Sequence, residues 1–378
     1  MWLCCVCVFL LLKGRVMEFY IPTRIYHEDG AVLNHGSEIA SLGRKALIVT
    51  GRSSAVKTGA LDDVIKALGD NDTEYVLYDK IEENPSVQSV MEAAAAGRSQ
   101  GADFVIGIGG GSPMDAAKAA ALMVQNRDTA EDVLYNPVKL KALPVAEVPT
   151  TCGTGSEATP YAILTRNDIK TKQSISHKIY PALACIDARY LKKAPADIII
   201  NTAIDALGHL LESYFNTKAT KYSRVLSICG IENWAANTEA LRRRDFTDNN
   251  YNSLLFASTL AGMAISHTGT SLPHGLSYYI TYNKNIPHGK AVGMFLPGYM
   301  YVMHKNSVPG CKDVISKMGF KDLEEFTLFI KNCLGDIYIT SEDKENMLKE
   351  IKDNPKKLLS VPSGIKEGDI MEIIKYYN

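Results

Sequence analysis

Two histidines occur in identical triplets, since His274 and His288 each stand between a proline and a glycine. Upstream, Asp205 and His209 are four residues apart in a segment whose apolar residues recur at helical spacing. That spacing places a carboxylate and an imidazole on one face of a helix, one turn apart. Three imidazoles and one carboxylate suit a divalent transition metal such as iron or zinc. We therefore predict that these four residues bind a metal.

Histidines also have a plainer interpretation. A single histidine on an apolar helix face is more often a hydrogen-bonded core residue than a metal ligand. Three histidines are interpreted in that way: His177, His267 and His304. His209 is set apart by Asp205 one helical turn before it, and the two Pro-His-Gly histidines by their shared context. The glycine after each of those two would let backbone or substrate come close.

A glycine-rich turn follows one of the predicted strands. The strand begins at Phe104 and runs into residues 109–115, GGGSPMD, after which the sequence is helical. Glycines let the backbone approach an anion closely, and the start of a helix offers free N–H groups and the positive end of the helix dipole. The turn therefore favours a phosphate or pyrophosphate ligand, with a tight turn that binds nothing as the alternative.

A second polar loop follows the next predicted strand, residues 144–148. The loop, residues 149–157, has the sequence PTTCGTGSE. Hydroxyls and glycines at the carboxyl end of a parallel strand lie where open α/β sheets bind ligands. Two such loops from one sheet favour a nucleotide, although a polar loop that caps the next element would also explain individual residues.

The elements that must position these residues change character along the chain. From Arg44 to about residue 188 strands and helices alternate, which is typical of a parallel sheet. Beyond residues 188–196 the apolar residues recur at helical spacing over long stretches. We predict an α/β domain over residues 17–190 and an all-α domain over residues 191–378. The lysine-rich tail from Lys344 is interpreted as solvated helix faces and loops.

Composition limits the kind of partner. A formal net charge of -1 and a pI near 6.7 would attract neither nucleic acid nor an anionic membrane, so a small molecule is the expected partner. Single, scattered cysteines are typical of a reducing, cytosolic setting. These cysteines are Cys152, Cys185, Cys229, Cys311 and Cys333.

The first sixteen residues differ from the rest. Their apolar run, Trp2 to Leu12, is too short to span a bilayer. No basic segment precedes that run and no small-residue cleavage site follows it. We predict that residues 1–16 are a non-native or disordered extension, with Met17 as the functional start. A short membrane-associating segment is the alternative.

Four motifs, in this order, resemble the iron-containing alcohol dehydrogenase family. They are GGGSPMDAAK, PTTCGTGSEATP, the Asp205/His209 pair and the two Pro-His-Gly triplets. The similarity extends from about Met17 to Met300 and points especially to 1,3-propanediol and butanol dehydrogenase-like members. It implies a dehydroquinate synthase-like architecture, in which a dinucleotide-binding α/β domain and an all-α domain enclose Fe²⁺ in a cleft. Zinc or nickel could replace Fe²⁺ at such a site.

The resemblance also implies a reaction and its residues. Hydride would pass between NADP(H) and a short primary alcohol or aldehyde, and Asp205, His209, His274 and His288 would be the metal ligands. The expected assembly is a cytoplasmic homodimer or higher homo-oligomer. The cofactor-binding residues carried over from the family are Asn84, Gly110, Gly111, Ser112, Asp115, Thr150, Thr151, Thr154, Thr159 and Lys172.

One position departs from the family pattern. Many members carry a second histidine four residues after the third ligand, where this chain has Tyr278. A phenol with an ordinary pKa near 10 carries protons less readily at neutral pH than an imidazole with a pKa near 6.5. The proton would leave through water and cofactor hydroxyls or through another group such as His267. Tyr278, His267 and the ligands His274 and His288 are therefore the candidate catalytic residues.

A second departure concerns the cofactor. NAD-using members tend to place an aspartate just after the first strand, where this chain has Gly51, Arg52, Ser53 and Ser54. Gly51 leaves room for a 2′-phosphate, the two serines can donate hydrogen bonds, and Arg52 or Lys57 could add positive charge. We therefore expect a preference for NADP(H) over NAD(H).

Two other functions are compatible with parts of this pattern. A zinc glycerol dehydrogenase or a dehydroquinate synthase-like lyase would share the architecture, but the predicted ligand set disfavours both. A nucleotide- and metal-binding protein without turnover is the alternative from another class. The substrate pocket is expected to be mostly apolar, with five residues shaping it: Phe256, Leu260, Met263, Ile265 and Tyr278.

Overall fold

The computed structural model describes residues 17–353, 355–362 and 364–377. The prediction for residues 1–16 lies outside the described residues. None of the helices in the described ranges is both long enough and apolar enough to cross a membrane.

The first half of the chain forms a parallel sheet of six strands in the order β1-β8-β5-β4-β2-β3. Its strands are β1 (Arg24–His27), β2 (Lys45–Gly51), β3 (Glu74–Ile81), β4 (Phe104–Gly109), β5 (Val145–Pro149) and β8 (Leu183–Ile186). Strands β2 and β4 are buried along almost their whole length, as their uninterrupted apolar sequences predict for strands covered on both faces. The predicted strands beginning at Phe104 and near residue 144 are confirmed.

Helices cover both faces of this sheet. They are α1 (Ala31–Asn34), α2 (Gly36–Ala40), α3 (Ser54–Thr58), α4 (Ala60–Gly69), α5 (Val87–Gln100) and α6 (Gly111–Gln125), with a 3₁₀ turn at Glu131–Tyr135. Helix α6 packs closely on β4 because Gly107 has no side chain: a Cβ there would lie 2.9 Å from the Cβ of Ala117. The chain leaves β2 toward β3 on one side and leaves β4 toward β5 on the other. The carboxyl ends of β2 and β4 therefore form the switch point at which open α/β sheets bind ligands.

The second half is helical throughout its described residues. Its helices are α7 (Ala196–Phe215), α8 (Lys221–Ala235), α9 (Thr238–Arg243), α10 (Asp248–Thr268), α11 (Leu272–Lys284), α12 (His288–Gly293), α13 (Leu296–Lys305), α14 (Cys311–Lys317), α15 (Leu323–Leu334), α16 (Ser341–Asp353) and α17 (Glu367–Lys375). Helix α7 lies at the centre, because α8, α10 and α12 all pack against it. From Ile199 onward its apolar residues are buried on every side, which is typical of a central helix.

Four strands lie outside the sequence predictions. Strands β1 and β8 are only four residues long, and β6 (Ile163–Arg166) and β7 (Thr171–Ser174) form a separate antiparallel hairpin. Short strands carry too few residues for a clear period of two. The predicted division between residues 190 and 191 falls in a 3₁₀ turn, Ala188–Leu191, between the last strand and α7.

Candidate metal centre and nucleotide cleft

Helix α7 presents two of the predicted metal ligands and one further carboxylate on a single face. Asp205, His209 and Glu212 lie at successive helical turns, and all three are buried. The Nδ1 atom of His209 lies 3.3 Å from the carbonyl oxygen of Gly153, so that its N–H can donate to the loop after β5. This contact leaves the Nε2 atom of His209 available to a ligand.

His274 reaches this face from the first turn of α11. Its Nε2 atom lies 3.3 Å from Asp205 Oδ1, and the centre of its ring lies 4.2 Å from that of His209. Asp205, His209 and His274 each offer one ligand atom, and these atoms lie within 4.8 Å of one another. The three residues are therefore arranged closely enough to share one metal ion.

His288 approaches from a different element, because it is the first residue of α12. Its Nε2 atom lies 3.8 Å from Asp205 Oδ1, and its ring lies 5.5 Å from that of His274. The structure thus places His288 beside Asp205, at the edge of the group formed by the other three predicted ligand residues. The glycine after His288 serves packing: a Cβ on Gly289 would lie 1.9 Å from the carbonyl oxygen of Asn201, so glycine lets α12 approach α7.

Three atoms at this centre are buried without a hydrogen-bond partner in the described part of the chain. They are Asp205 Oδ1, His274 Nε2 and His288 Nδ1. A buried polar atom without a partner costs about 1–3 kcal/mol, so such atoms are rare in clusters. A carboxylate oxygen and imidazole nitrogens are ligands that divalent transition metals accept. The residues present therefore fit a metal ion.

The charges of these groups are strongly coupled. Burial alone would raise the pKa of Asp205, but the neighbouring His209, His288 and His274 outweigh burial and lower it. Burial lowers the pKa of His209 to about 4. For His274 burial also favours the neutral ring, but the negative charge of Glu212 dominates and raises the pKa to about 9. Asp205 is thus ionised and His209 neutral, the forms that bind metals.

Glu212 is a functional candidate that the sequence analysis missed. Its Oε2 atom contacts Nδ1 of His274, and its Oε1 atom accepts hydrogen bonds from the main-chain nitrogens of Ser271 (2.8 Å) and His274 (3.2 Å). A carboxylate on the far nitrogen of a ligand histidine fixes the orientation of the ring. The signal in the sequence was a glutamate three residues after His209, on the same face of an apolar helix.

A cleft of about 1320 Å³ runs between the sheet and the helical domain and includes the metal centre. Its helical wall contains Asp205, His209, His274, Tyr278 and His288. Its other wall contains most of the predicted cofactor residues: Gly51, Ser54, Asn84, Gly110, Gly111, Ser112, Asp115, Thr151, Thr154, Thr159 and Lys172. Two predicted residues do not line it, because Ser53 is exposed ahead of α3 and Thr150 is buried beneath its loop.

The two predicted loops are in direct contact. A Cβ on Gly111, the first residue of α6, would lie 2.6 Å from the methyl group of Thr154, so the close approach requires glycine. Ser156 Oγ donates a hydrogen bond of 2.6 Å to Asp115, which joins the second loop to α6. The Nζ atom of Lys118, fully buried, donates to the carbonyl and hydroxyl oxygens of Ser156 (2.6 Å each). The first turn of α6 and both loops therefore form one rigid surface.

The hairpin of β6 and β7 completes this wall. Lys172, on β7, donates a hydrogen bond of 2.9 Å to the side-chain oxygen of Asn84, and the main-chain nitrogen of Asn84 donates to Ser112 Oγ at 3.1 Å. Burial lowers the pKa of Lys172 to about 8, although the nearby carboxylates of Asp205 and Asp115 oppose that shift.

Comparison with known proteins gives a consistent result for both domains. Residues 22–188 match the family model described as iron-containing alcohol dehydrogenase, and residues 199–351 match the C-terminal model of the Fe-containing alcohol dehydrogenase family. The chain belongs to the iron-containing alcohol dehydrogenase family. The family predicted from the four motifs is confirmed.

Individual members of this family resemble the chain over most of its length. The NADPH-dependent butanol dehydrogenase of Clostridium saccharobutylicum is 27% identical over 94% of this chain and 88% of its own length. The NAD-dependent methanol dehydrogenase of Bacillus methanolicus is 30% identical over 74% of each chain. The crystal structure of an iron-containing alcohol dehydrogenase from Thermotoga maritima is 36% identical, covers 96% of this chain and 99% of its own, and has a TM-score of 0.89. The predicted dehydroquinate synthase-like architecture is thereby confirmed.

One candidate proton carrier of this alcohol dehydrogenase family member lies away from the cleft. The Nδ1 atom of His267 lies 2.8 Å from the carbonyl oxygen of Met263, and its Nε2 atom accepts a hydrogen bond of 3.1 Å from the main-chain nitrogen of Tyr20. Phe19 stacks on the ring, with the two ring centres 4.9 Å apart. Both nitrogens are engaged at the surface of α10, and His267 does not line the cleft. The structure therefore does not support a catalytic role for His267.

The expected substrate pocket is only partly represented in the cleft of this family member. Of the five residues proposed to shape it, Ile265 and Tyr278 line the cleft, whereas Phe256, Leu260 and Met263 do not. The side chains around Tyr278 are charged instead. Its ring centre lies 5.7 Å from the Nζ atoms of both Lys172 and Lys357. Lys357 belongs to the tail that the sequence suggested was only solvated, and no local signal marked it.

Proposed function

We propose that this family member is a metal-dependent alcohol dehydrogenase and aldehyde reductase, which transfers hydride between NADP(H) and a short primary alcohol or aldehyde. The observation that carries the proposal is the set of three buried, unpartnered atoms on Asp205, His274 and His288, in the wall of the cleft that also contains the glycine loop. A redox cofactor and a metal would thus share one cleft.

The metal ligands in this proposal are Asp205, His209, His274 and His288. Fe²⁺ is the expected ion, and Zn²⁺ or Ni²⁺ would bind the same donors. When bound, the ion supplies Lewis-acid polarisation of the substrate oxygen. The protein itself holds the ligand side chains in a fixed orientation. The carbonyl of Gly153, in the loop after β5, orients His209, and Glu212 orients His274.

The cofactor would bind along the opposite wall. Gly110, Gly111 and Ser112 form the start of α6, a helix of 15 residues, whose free N–H groups and dipole favour the pyrophosphate. Thr151 and Thr154 add hydroxyl donors from the second loop. A preference for NADP(H) is proposed because Gly51 at the end of β2 carries no carboxylate that would repel a 2′-phosphate.

Tyr278 is not the proposed carrier of the proton that leaves the substrate. Burial, with a contribution from the charge of Glu212, raises the pKa of this phenol above its ordinary value. Tyr278 therefore keeps its proton at neutral pH, and we propose that it shapes the cleft beside His288, whose ring centre lies 6.2 Å away. With His267 outside the cleft, water and the cofactor hydroxyls form the proposed proton route.

A direct experiment tests the proposal. The purified protein is analysed for metal, and its reduction of butanal is followed through the near-ultraviolet absorbance of NADPH and, separately, of NADH. Metal content together with butanal-dependent loss of absorbance is the expected result. A nucleotide- and metal-binding protein without turnover would show metal but no loss of absorbance. The proposed cytoplasmic homo-oligomer is tested separately, by cell fractionation and by light scattering.

A further inference from the structure

Lys357 places an ammonium group beside the metal centre. Its side chain packs against Gly275, the residue after His274: a Cβ on that glycine would lie 3.0 Å from Lys357 Cγ. Its Nζ atom donates a hydrogen bond to Thr270 Oγ1 and lies 5.7 Å from the ring centre of Tyr278. Since the Tyr278 ring borders His288, one aromatic ring separates this ammonium group from the predicted metal ligands.

Lys172 adds a second positive charge on the other side of the cleft. Its Nζ atom is also 5.7 Å from the Tyr278 ring centre, but it comes from the β6–β7 hairpin of the sheet domain. Both ammonium groups donate to neutral oxygens, those of Asn84 and Thr270. An ammonium group has three donors, so each lysine keeps two for another acceptor.

Neither lysine has a salt bridge in the described ranges of the chain. The carboxylate that most affects Lys357 is Glu212, and it is already engaged by His274 and Ser271. Glu350 and Asp353 line the cleft as well, but neither forms an ion pair with Lys357. A partly buried ammonium group without a counterion loses hydration that nothing replaces, so an anion in the cleft beside Lys357 would be stabilised.

We propose that the substrate of this enzyme is a short aldehyde, or the corresponding alcohol, that carries an anionic group at its other end. The ammonium group of Lys357 binds that carboxylate, sulfonate or phosphonate, while the carbonyl end lies at the metal centre. Lys172 remains on Asn84 and adds positive potential. Lys357 is thus the residue that determines specificity. This inference rests on the proposed function and deepens it.

The geometry favours the substrate over the cofactor as the partner of Lys357. The proposed pyrophosphate site is built from the sheet domain, at the start of α6, whereas Lys357 lies on the helical side against the helix that carries His274. A cofactor role would still predict a distinct result, because loss of the charge would then raise the KM for NADPH.

The test compares kcat/KM for anionic and neutral aldehydes with the metal-loaded enzyme. The anionic substrates are 4-oxobutanoate, sulfoacetaldehyde and phosphonoacetaldehyde, and butanal is the neutral reference. A charge-assisted hydrogen bond predicts a preference of roughly tenfold to a hundredfold for at least one anion over butanal. Lys357→Met should bring that ratio close to one, and Lys357→Arg should keep most of it. Lys349→Met, which removes an exposed charge outside the cleft, should keep the wild-type ratio.

Three results would overturn the inference. The first is reduction of butanal without preference for any of the three anions. The second is an unchanged ratio in Lys357→Met. The third is a raised KM for NADPH in that variant with equal losses for both classes of aldehyde, which would assign Lys357 to the cofactor. Butanal reduction by the variant would show that it folds. No reduction of any aldehyde by the wild type would instead reject the proposed function itself.

Discussion

The Nδ1 atom of His274 faces the carboxylate of Glu212, which lies two helical turns after Asp205 on α7. Helix α7 therefore carries both the proposed metal ligand Asp205 and the carboxylate that orients a second proposed ligand, His274. The same carboxylate accepts hydrogen bonds from the main-chain nitrogens of Ser271 and His274, so it also anchors the first turn of α11. The metal centre and the packing of α11 on α7 depend on one side chain.

Replacing Glu212 with glutamine should weaken metal binding. The amide keeps the size of the side chain but loses the negative charge that holds the His274 ring. Loss of such an outer partner typically costs about tenfold to a hundredfold in metal affinity. Competition with a chromophoric chelator measures the change. Glu350→Gln, which alters another carboxylate of the cleft, is the matched control and should bind metal as the wild type does. Equal affinities of Glu212→Gln and the wild type would refute the role of Glu212.

Metal binding to the metal-free protein should release a proton and should strengthen as pH rises. Glu212 raises the pKa of His274 to about 9, so at neutral pH the ring of the metal-free protein is protonated on both nitrogens. A metal must displace one of these protons, and affinity for Zn²⁺ should therefore increase with pH until about pH 9. Calorimetric titrations in buffers of different ionisation enthalpy count the protons released. Affinity that does not change between pH 6.5, the ordinary pKa of histidine, and pH 9 would contradict this prediction.

His288→Ala should lose both metal and turnover, whereas His267→Ala should retain both. The Nε2 atom of His288 lies 3.8 Å from Asp205 Oδ1, while both nitrogens of His267 are engaged outside the cleft. Metal analysis and the butanal assay, run on the two variants in parallel, provide the comparison. Full turnover by a metal-free His288→Ala variant would reject the proposed ligand set.

Gly51→Asp should shift the cofactor preference toward NAD(H). The site can accept a side chain with a small adjustment, because a Cβ on Gly51 would lie 3.3 Å from the carbonyl oxygen of Ile81 and 3.9 Å from Ser54 Oγ. Repulsion of the 2′-phosphate should lower kcat/KM for NADPH by about tenfold or more, with NADH retained. Ser53→Asp places the same charge outside the cleft and should have a smaller effect. A higher kcat/KM of the wild-type enzyme for NADH than for NADPH would show that Gly51 does not predict the cofactor preference.

The sequence predicted the parts of the site that local spacing encodes. Asp205 and His209 share a helix face because four residues make about one turn. An uninterrupted apolar run indicates a buried strand, so the sequence also located the glycines at the end of β4. Short strands such as β1 and β8 carry too little periodicity to be seen. The all-α second domain followed from apolar residues that recur at helical spacing over long stretches.

By itself, the sequence determined the family, the two-domain order and the four candidate ligands, because each rests on residues that are close in the chain. Only the tertiary structure decided which side chains surround those ligands. The packing of α11 on α7 places Glu212 where it orients His274. The contact of His267 with the segment before β1 keeps that histidine out of the cleft. Lys357 lies in the cleft although the sequence suggested a solvated tail. These are contacts between residues far apart in sequence, and they are fixed by packing, which no local pattern records.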